Sequence, residues 1–401
     1  RDFDSDRIDP ALPRLVPAGG LDALLLDADL YTPSNIDWLL RHGADADARD
    51  ANGHGLLWRL LDQRGASGSI QRLLDAGASP AGAGGLARFL AARLADPLAG
   101  MLEPLALALL DRGADPFGSN PQGDRALPLA VRLGWDGLTA RLLERGAAPD
   151  ATDARGMGAL HVATALKRDR WVRQLLRHGA SPTLRAADGQ TPLGIALAAG
   201  DRGMADWLDW RGWALPSRPL RSADVPAAAI AGDADAVRRL IDLDLPVDAV
   251  DAQGCSALLR AAGAGHMPVV ELLLQRGADR NLATRGGATP LSAAVSMRQL
   301  DIVERLLDAG AGLEQRLPGD VTVLMLASEL SGGDGDGKTA MPEMDPQADP
   351  TSDAVKEAVI KSNFGTALML GIAYAASVGS LATIIGTPPN TLLAGYLSAE
   401  H

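Results

Sequence analysis

The sequence predicts an all-α dominated solenoid in which short helix pairs are joined by β-hairpin loops. The first observation behind this is a recurring ending: LLRHGA at Leu39, LLDAGA at Leu73, LLDRGA at Leu109, LLERGA at Leu142, LLRHGA at Leu175, LLQRGA at Leu273 and LLDAGA at Leu306. The second is its period. Gly43, Gly77, Gly113, Gly146, Gly179, Gly212, Gly277 and Gly310 stand 34, 36, 33, 33, 33, 65 and 33 residues apart. A period near 33 marks units that bury an apolar face only by stacking on their neighbours. The third is a partner element half a period away, Thr191-Pro192-Leu193-Gly194-Ile195-Ala196, with relatives at Gly158–Ala163, Ser256–Ala261, Thr289–Ala294 and Thr322–Ala327.

Each element follows from its residues. Thr caps a helix N-terminus, and Pro at the first helical position gives up only an N–H that had no partner. The alanines allow the two helices of a unit, and successive units, to approach closely. Gly after LLxx supplies the left-handed residue that ends the second helix. Asp153-Ala154-Arg155-Gly156 and Asp188-Gly189 carry turn chemistry suited to hairpin fingertips between units. The 65-residue gap holds two units, the middle one degenerate at Arg239-Leu240-Ile241-Asp242-Leu243-Asp244.

A T-P-L-H-x-A element 14 to 15 residues before an LLxxGA element resembles the ankyrin repeat family. The W-LG-Y spacing of a tetratricopeptide array is absent. The resemblance implies a non-catalytic protein-protein interaction module that meets an unidentified protein partner through its fingertips and first-helix surface. The fingertip residues it puts forward are Asp153, Arg155, Asp188, Gln190, Asp251, Gln253 and Arg285.

Composition fits. At 401 residues and 47% apolar, core burial is not limiting. Four Phe and three Tyr leave Leu, Ala and Val to build the core. A net charge of −12 argues against nucleic acid as a partner, because neutralising phosphates needs a basic face. One cysteine, Cys255, excludes an internal disulfide framework and suits a reducing compartment. No nucleophile, metal cluster or acid–base pair stands out, so neither enzymatic activity nor a cofactor is expected. His42, His161 and His178 recur at repeat slots and read as turn or helix-terminus hydrogen-bonding groups rather than metal ligands. Arg173, Arg177, Arg238 and Arg239 read as a solvated face, and the tryptophans as half-buried packing.

In order, residues 1 to 33 form a weakly patterned lead-in, with a first helix expected over Leu21–Leu26. The acidic, polar start carries no signal-peptide pattern, and the natural start is expected upstream of Arg1. Units ending at Gly77 and Gly113 are irregular, with an insertion expected around Ala81–Gly85. Repeats are regular from Gly113 to Gly212. Trp207, Trp210 and Trp213 crowd one repeat end, and Pro216 and Pro219 predict an offset of the following unit. The array of about nine units runs to residue 330, where a tenth is truncated after its first helix.

There the chain changes character. All 34 arginines lie at or before Arg316, whereas Lys338, Lys356 and Lys361 follow it. The break reads as a junction between sequences of different origin, a natural fusion or an assembly scar. Residues 331–352 form an acidic Gly/Pro-rich linker. Gly332–Thr339 matches a phosphate-loop pattern, but Asp334 and Asp336 would place negative charge in the cradle and Pro342 stands where its helix should run. The calcium-like Asp334-Gly335-Asp336-Gly337 lacks the bidentate Glu, since Asp345 stands there.

Residues 353–401 predict a C-terminal transmembrane-type broken helix. Ser362–Ala399 holds no charged side chain, and Phe364–Ile385 is long enough to cross a hydrocarbon core of ~30 Å. Gly386-Thr387-Pro388-Pro389-Asn390 then interrupts it. This segment resembles part of the divalent-anion/sodium symporter family, which carries dicarboxylates. The resemblance spans about 45 residues, and implies that Gly386, Thr387, Pro388, Pro389 and Asn390 form an ion and substrate loop, with Na+ involved only in a complete transporter. The family's Ser-Asn-Thr hairpin motifs are absent, and one and a half helices cannot alternate access, so a partial sodium-coupled dicarboxylate transporter would not be transport-competent. The alternative is a tether that holds cytoplasmic repeats at a bacterial inner membrane through residues 362–399, with Lys356 and Lys361 on the inner side.

Overall fold

The computed structural model describes residues 20–27, 32–313, 315–317, 321–323 and 325–327. The expectations for residues 1–19, for the linker 331–352 and for the segment 353–401 with its Gly386–Asn390 loop lie outside the described residues.

The chain divides into two compact units, Arg1–Trp210 with Leu215–Leu220, and Arg211–Ala214 with Arg221–His401. The first is built of helix pairs. A helix over residues 20–25 precedes α1 (Pro33–Arg41), and then come α2 (Leu56–Leu60) with α3 (Ser67–Asp75), and α4 (Gly85–Arg93) with α5 (Glu103–Asp111). They are followed by α6 (Ala126–Leu133) with α7 (Asp136–Glu144), α8 (Ala159–Ala165) with α9 (Asp169–Arg177), and α10 (Pro192–Ala198) with α11 (Arg202–Leu208). First helices stack in series, α4 on α6, α6 on α8 and α8 on α10. The second unit repeats the plan with α12 (Asp224–Ile230) and α13 (Ala234–Asp242), α14 (Ala257–Ala264) and α15 (Met267–Gln275), and α16 (Pro290–Ser296) and α17 (Leu300–Asp308). A two-stranded antiparallel ribbon follows, β1 (Arg316–Leu317) and β2 (Val321–Thr322), with Arg316 opposite Thr322.

The LLxxGA ending is a helix stop whose backbone geometry explains each letter. At the end of α9 the Ala180 N–H donates to the Leu175 carbonyl at 2.9 Å, and the Gly179 N–H donates to the Leu176 carbonyl at 2.9 Å. These two bonds satisfy carbonyls the helix would otherwise leave open, and they require a left-handed residue between them. Gly179 supplies it at φ +88°, and Ala180 is buried as the following apolar contact. The same pair of bonds closes α1, α3, α5, α7, α15 and α17. The degenerate copy closes too: Leu245 donates to Leu240 and Asp244 to Ile241, with Asp244 itself left-handed at φ +64°. Gly212 does not play this part. The helix α11 stops at Leu208, and Gly212 has no positive φ; a methyl on it would collide with the carboxylate of Asp233, which accepts the Trp213 N–H.

The capping prediction holds at the first helices α10, α14 and α16 and at the second helix α1. Thr32, Thr191, Ser256 and Thr289 each accept an N–H three residues on, and Thr289 and Ser292 cap one another reciprocally.

The irregular third pair departs from expectation in its internal arrangement. The spacing of 36 between Gly77 and Gly113 suggested an insertion at Ala81–Gly85. Instead the loop before α4 is short, pressing Gly84 against the backbone of Ser119, while the extra length lies between α4 and α5. That connection includes a 3-10 turn, Ala99–Met101, and exposes Leu98 (61%) and Met101 (77%). A deletion and an insertion of similar size nearly cancel in the period. Beneath it lies Arg93, fully buried, whose guanidinium sits 4.5 Å from the Phe89 ring and donates to the Gln63 carbonyl. Burial pushes its pKa down, and Asp96 partly opposes the shift.

Arg239 is likewise inside the array (5% exposed) rather than on a solvated face. Other arginines of the second helices bind backward. Arg112 donates to the Leu74 carbonyl and Arg145 to the Leu110 carbonyl, each at the C-terminal end of the preceding second helix. Among the described residues no helix is long and apolar enough to cross a membrane.

Candidate functional site

At four of the junctions between helix pairs the backbone turns through a fingertip of the same design. Asp50, Asn120, Asp153 and Asp251 each stand three residues before a glycine of positive φ: Gly53, Gly123, Gly156 and Gly254. In each, the anchor residue exchanges backbone bonds across the turn, as where Asp153 N–H donates to Met157 and Gly156 N–H to Asp153. Its side chain then takes two more N–H groups from inside the loop: Arg155 and Met157 donate to Asp153, and Gln253 and Cys255 donate to Asp251. An Asx side chain that closes its own loop in this way fixes the fingertip without outside help.

Of the residues anticipated as partner-facing, Asp153 and Asp251 are therefore loop anchors. Asp153 is 4% exposed and pairs with Arg132 at 2.7 Å. Asp251 is half-buried and is met by Arg260. Partial burial on its own would raise the Asp251 carboxyl; the N–H of Cys255, the Arg260 guanidinium and the N–H of Gln253 outweigh it and hold the group below the usual carboxylate range. Asp50 is held low first by the N–H of His54, against its own desolvation. The tips themselves are open. Arg155, Asp188, Gln190, Gln253 and Arg285 are exposed, with Asp188 accepting the Gln190 N–H.

The histidines bind backbone. His42 and His178 meet the carbonyls of Trp38 and Gln174 through Nδ1 at 2.7 and 2.8 Å. His161 joins two repeats: the Gly158 N–H donates to Nδ1, and Nε2 donates to the Gln190 carbonyl of the next fingertip, both at 3.2 Å.

A further ladder escaped sequence reading. Asp47, Asp150, Asp248 and Asn281 accept the backbone N–H of Ser79, Ser181, Asp279 and Gly312, one repeat further on, at 2.6 to 2.8 Å. The available signal was their place, three residues after the Ala of Gly-Ala for Asp47, Asp150 and Asn281, and after Leu245 of the degenerate copy for Asp248.

The turn from first to second helix holds another left-handed slot. Gly134, Lys167 and Gly200 fill it in the first unit, and Gly232, Gly265 and Arg298 in the second. Charge is also uneven. Residues 119–208 hold twelve Arg or Lys against nine Asp or Glu, whereas residues 221–313 hold nine against twelve. Among the described residues no group of three His, Cys, Asp or Glu is placed to hold a metal ion.

Comparison with known proteins agrees with this architecture. Residues 227–316 match the family model for ankyrin repeats, in three copies. Over 88 residues the chain is 39% identical to a transient receptor potential cation channel subfamily A member 1 homolog of Caenorhabditis elegans, covering 22% of this chain and 7% of that one. It is 38% identical over 110 residues to an ankyrin repeat-containing protein of Treponema pallidum, covering 26% and 37%. It is 31% identical over 144 residues to ankyrin repeat and SAM domain-containing protein 6 of Rattus norvegicus, covering 35% and 16%. The chain thus spans well under half the length of these relatives. Residues 227–316 thus match ankyrin repeats, and the helix pairs and hairpin fingertips outside that stretch follow the same plan.

Proposed function

We propose that the repeats form a non-catalytic module that recognises a protein partner through the fingertips and the first-helix face. The observation that carries this reading is a division of labour within four of the fingertips. The anchors Asp50, Asn120, Asp153 and Asp251 give their oxygens to loop N–H groups. Arg155 stands exposed on such a loop and Arg285 on the loop closed by Thr284, whereas the exposed Gln253 accepts from Arg260 through its amide oxygen. A rigid support carrying free side chains lowers the ordering cost of association. A fingertip variant, Arg155→Glu with Arg285→Glu, tests it. A partner retained by the full chain is expected to be lost by the variant while helical content by circular dichroism stays the same. A partner held equally by both sinks the fingertip as the recognition surface.

A second reading concerns the tail. The 38 residues without a charged side chain, Ser362–Ala399, support a membrane tether that keeps the repeats cytoplasmic at an inner membrane. The symporter-like Gly386–Asn390 loop then survives as sequence without transport. Fractionation of the full chain beside a version ending at Leu330 separates the outcomes. Resistance of the full chain alone to carbonate and salt supports the tether, and full extraction of both rejects it.

A further inference from the structure

We propose that the first-helix groove over residues 119–208 takes a partner segment in which an apolar side chain of leucine size is flanked by carboxylates. This names the partner chemistry and rests on the protein-interaction reading above. Its apolar part is Leu133 and Leu166, which stand at the C-terminal ends of the first helices α6 and α8, 33 residues apart, half-buried and 46% exposed respectively. The rims are basic. Arg155 stands at the fingertip side, and Lys167 and Arg202 at the turns between paired helices, all exposed. None of these three makes a hydrogen bond or ion pair through its side chain among the described residues.

The carboxylates of the same stretch are mostly committed elsewhere. Asp124 accepts from Ala154 and Asn120, Asp136 from Trp171 and Arg170, Asp150 from Ser181, and Asp201 from Met204. Asp153 pairs with Arg132. The exposed exceptions are Asp169 and Asp188, the latter accepting the Gln190 N–H. Positive charge is therefore left facing solvent in a chain whose net charge is −12.

Lys167 adds an independent argument. Its slot is left-handed, at φ +52°, and its neighbours one repeat away on either side, Gly134 and Gly200, are glycines at φ +79° and +68°. A lysine there is strained where glycine would not be. Strain retained at an exposed position, with no internal contact to account for it, points to a use for the side chain outside the molecule.

The test is a peptide-display selection against the full chain, followed by affinity measurement of the selected peptides. Peptides with Leu, Ile or Met between Asp or Glu residues are expected. Their binding should weaken about threefold for Lys167→Gly and about twentyfold for the triple variant Arg155→Glu, Lys167→Glu, Arg202→Glu, with strong dependence on salt. Lys167→Gly is expected to raise Tm by about 2 °C at the same time, so lost binding cannot be ascribed to lost folding. Selection of basic or uncharged peptides, or of acidic ones indifferent to the triple variant, overturns the partner chemistry but leaves protein recognition standing. A selection that returns no sequence overturns both. A synthetic peptide of residues 338–353, which carries Met341 and Met344 among acidic residues, completes the set. If it displaces the selected peptides, the occupant is the chain's own acidic stretch and the partner assignment is overturned.

Discussion

Residues 119–208 and residues 221–313 run on the same period, yet they spend their unconstrained positions differently. Both close second helices such as α9 and α15 with the same pair of backbone bonds, and both use Thr or Ser caps on first helices, Thr191 in the one, Ser256 and Thr289 in the other. The first stretch is biased toward arginine and lysine and the second toward aspartate. Each also departs from glycine at left-handed slots: Lys167 in the first, Asp244 and Arg298 in the second. The repeat thus fixes backbone conformation and apolar burial, and leaves charge to vary, so recognition must be read from charge and exposure rather than from the motif.

The sharpest test of this shared plan is a glycine slot with unequal surroundings. At Gly179 an added methyl would run into the Arg218 backbone, while at Gly277 it meets open space, although both are left-handed. Gly179→Ala is expected to lose about 3 kcal/mol or more and Gly277→Ala about 1 kcal/mol, read by urea unfolding. Equal losses would mean that the 218 segment gives way freely. Next in size come the caps. Thr289 is buried and reciprocally bonded to Ser292, whereas Thr191 is half-buried and makes one bond. Alanine at these positions should cost about 2 and about 1 kcal/mol, so that a reversed order in thermal unfolding would contradict the reciprocal box.

A smaller effect has the opposite sign. Asp244→Gly is expected to stabilise the second unit by about 0.5 kcal/mol, through relief of its left-handed backbone; a loss on chemical denaturation would show that the carboxylate contributes more than the strain costs. The smallest concerns pH. Because the folded Asp251 carboxyl is held below its ordinary value, its charge stabilises the fold above about pH 4, and that contribution disappears as pH falls through the lowered folded value. Asp251→Asn should therefore be less stable than the parent at pH 7 by under about 1 kcal/mol, with the gap closing as Tm is followed downward from pH 4.

Much of the fold was legible because its determinants are local. Leu175, Leu176, Gly179 and Ala180 announce a helix stop through backbone chemistry confined to six residues, and Thr289-Pro290 announces a helix start in the same way. What escaped was either compensated or relational. The short loop before α4 and the long connection after it offset one another within the Gly77–Gly113 spacing. Gly212 matched by position but serves close approach to Asp233. For the surface, the sequence marked the fingertips correctly as loops, yet Asp153 and Arg155 look equally polar in the chain. Only the fold separates the one that anchors from the one that is exposed. The ladder from Asp150 to Ser181 joins residues 31 apart, which no local pattern contains.

That ladder has a directional consequence. In every rung the acceptor belongs to the earlier repeat and the N–H to the later one: Asp47 to Ser79, Asp150 to Ser181, Asp248 to Asp279, Asn281 to Gly312. A repeat leaving the ribosome with such an acceptor carries it before the donor has been synthesised, so each of these four rungs is completed only by the following repeat. Nascent chains halted after Ala180 and after Pro192 should thus differ in protease resistance by more than twelve added residues would suggest, because only the longer one supplies the Ser181 N–H that closes the rung to Asp150.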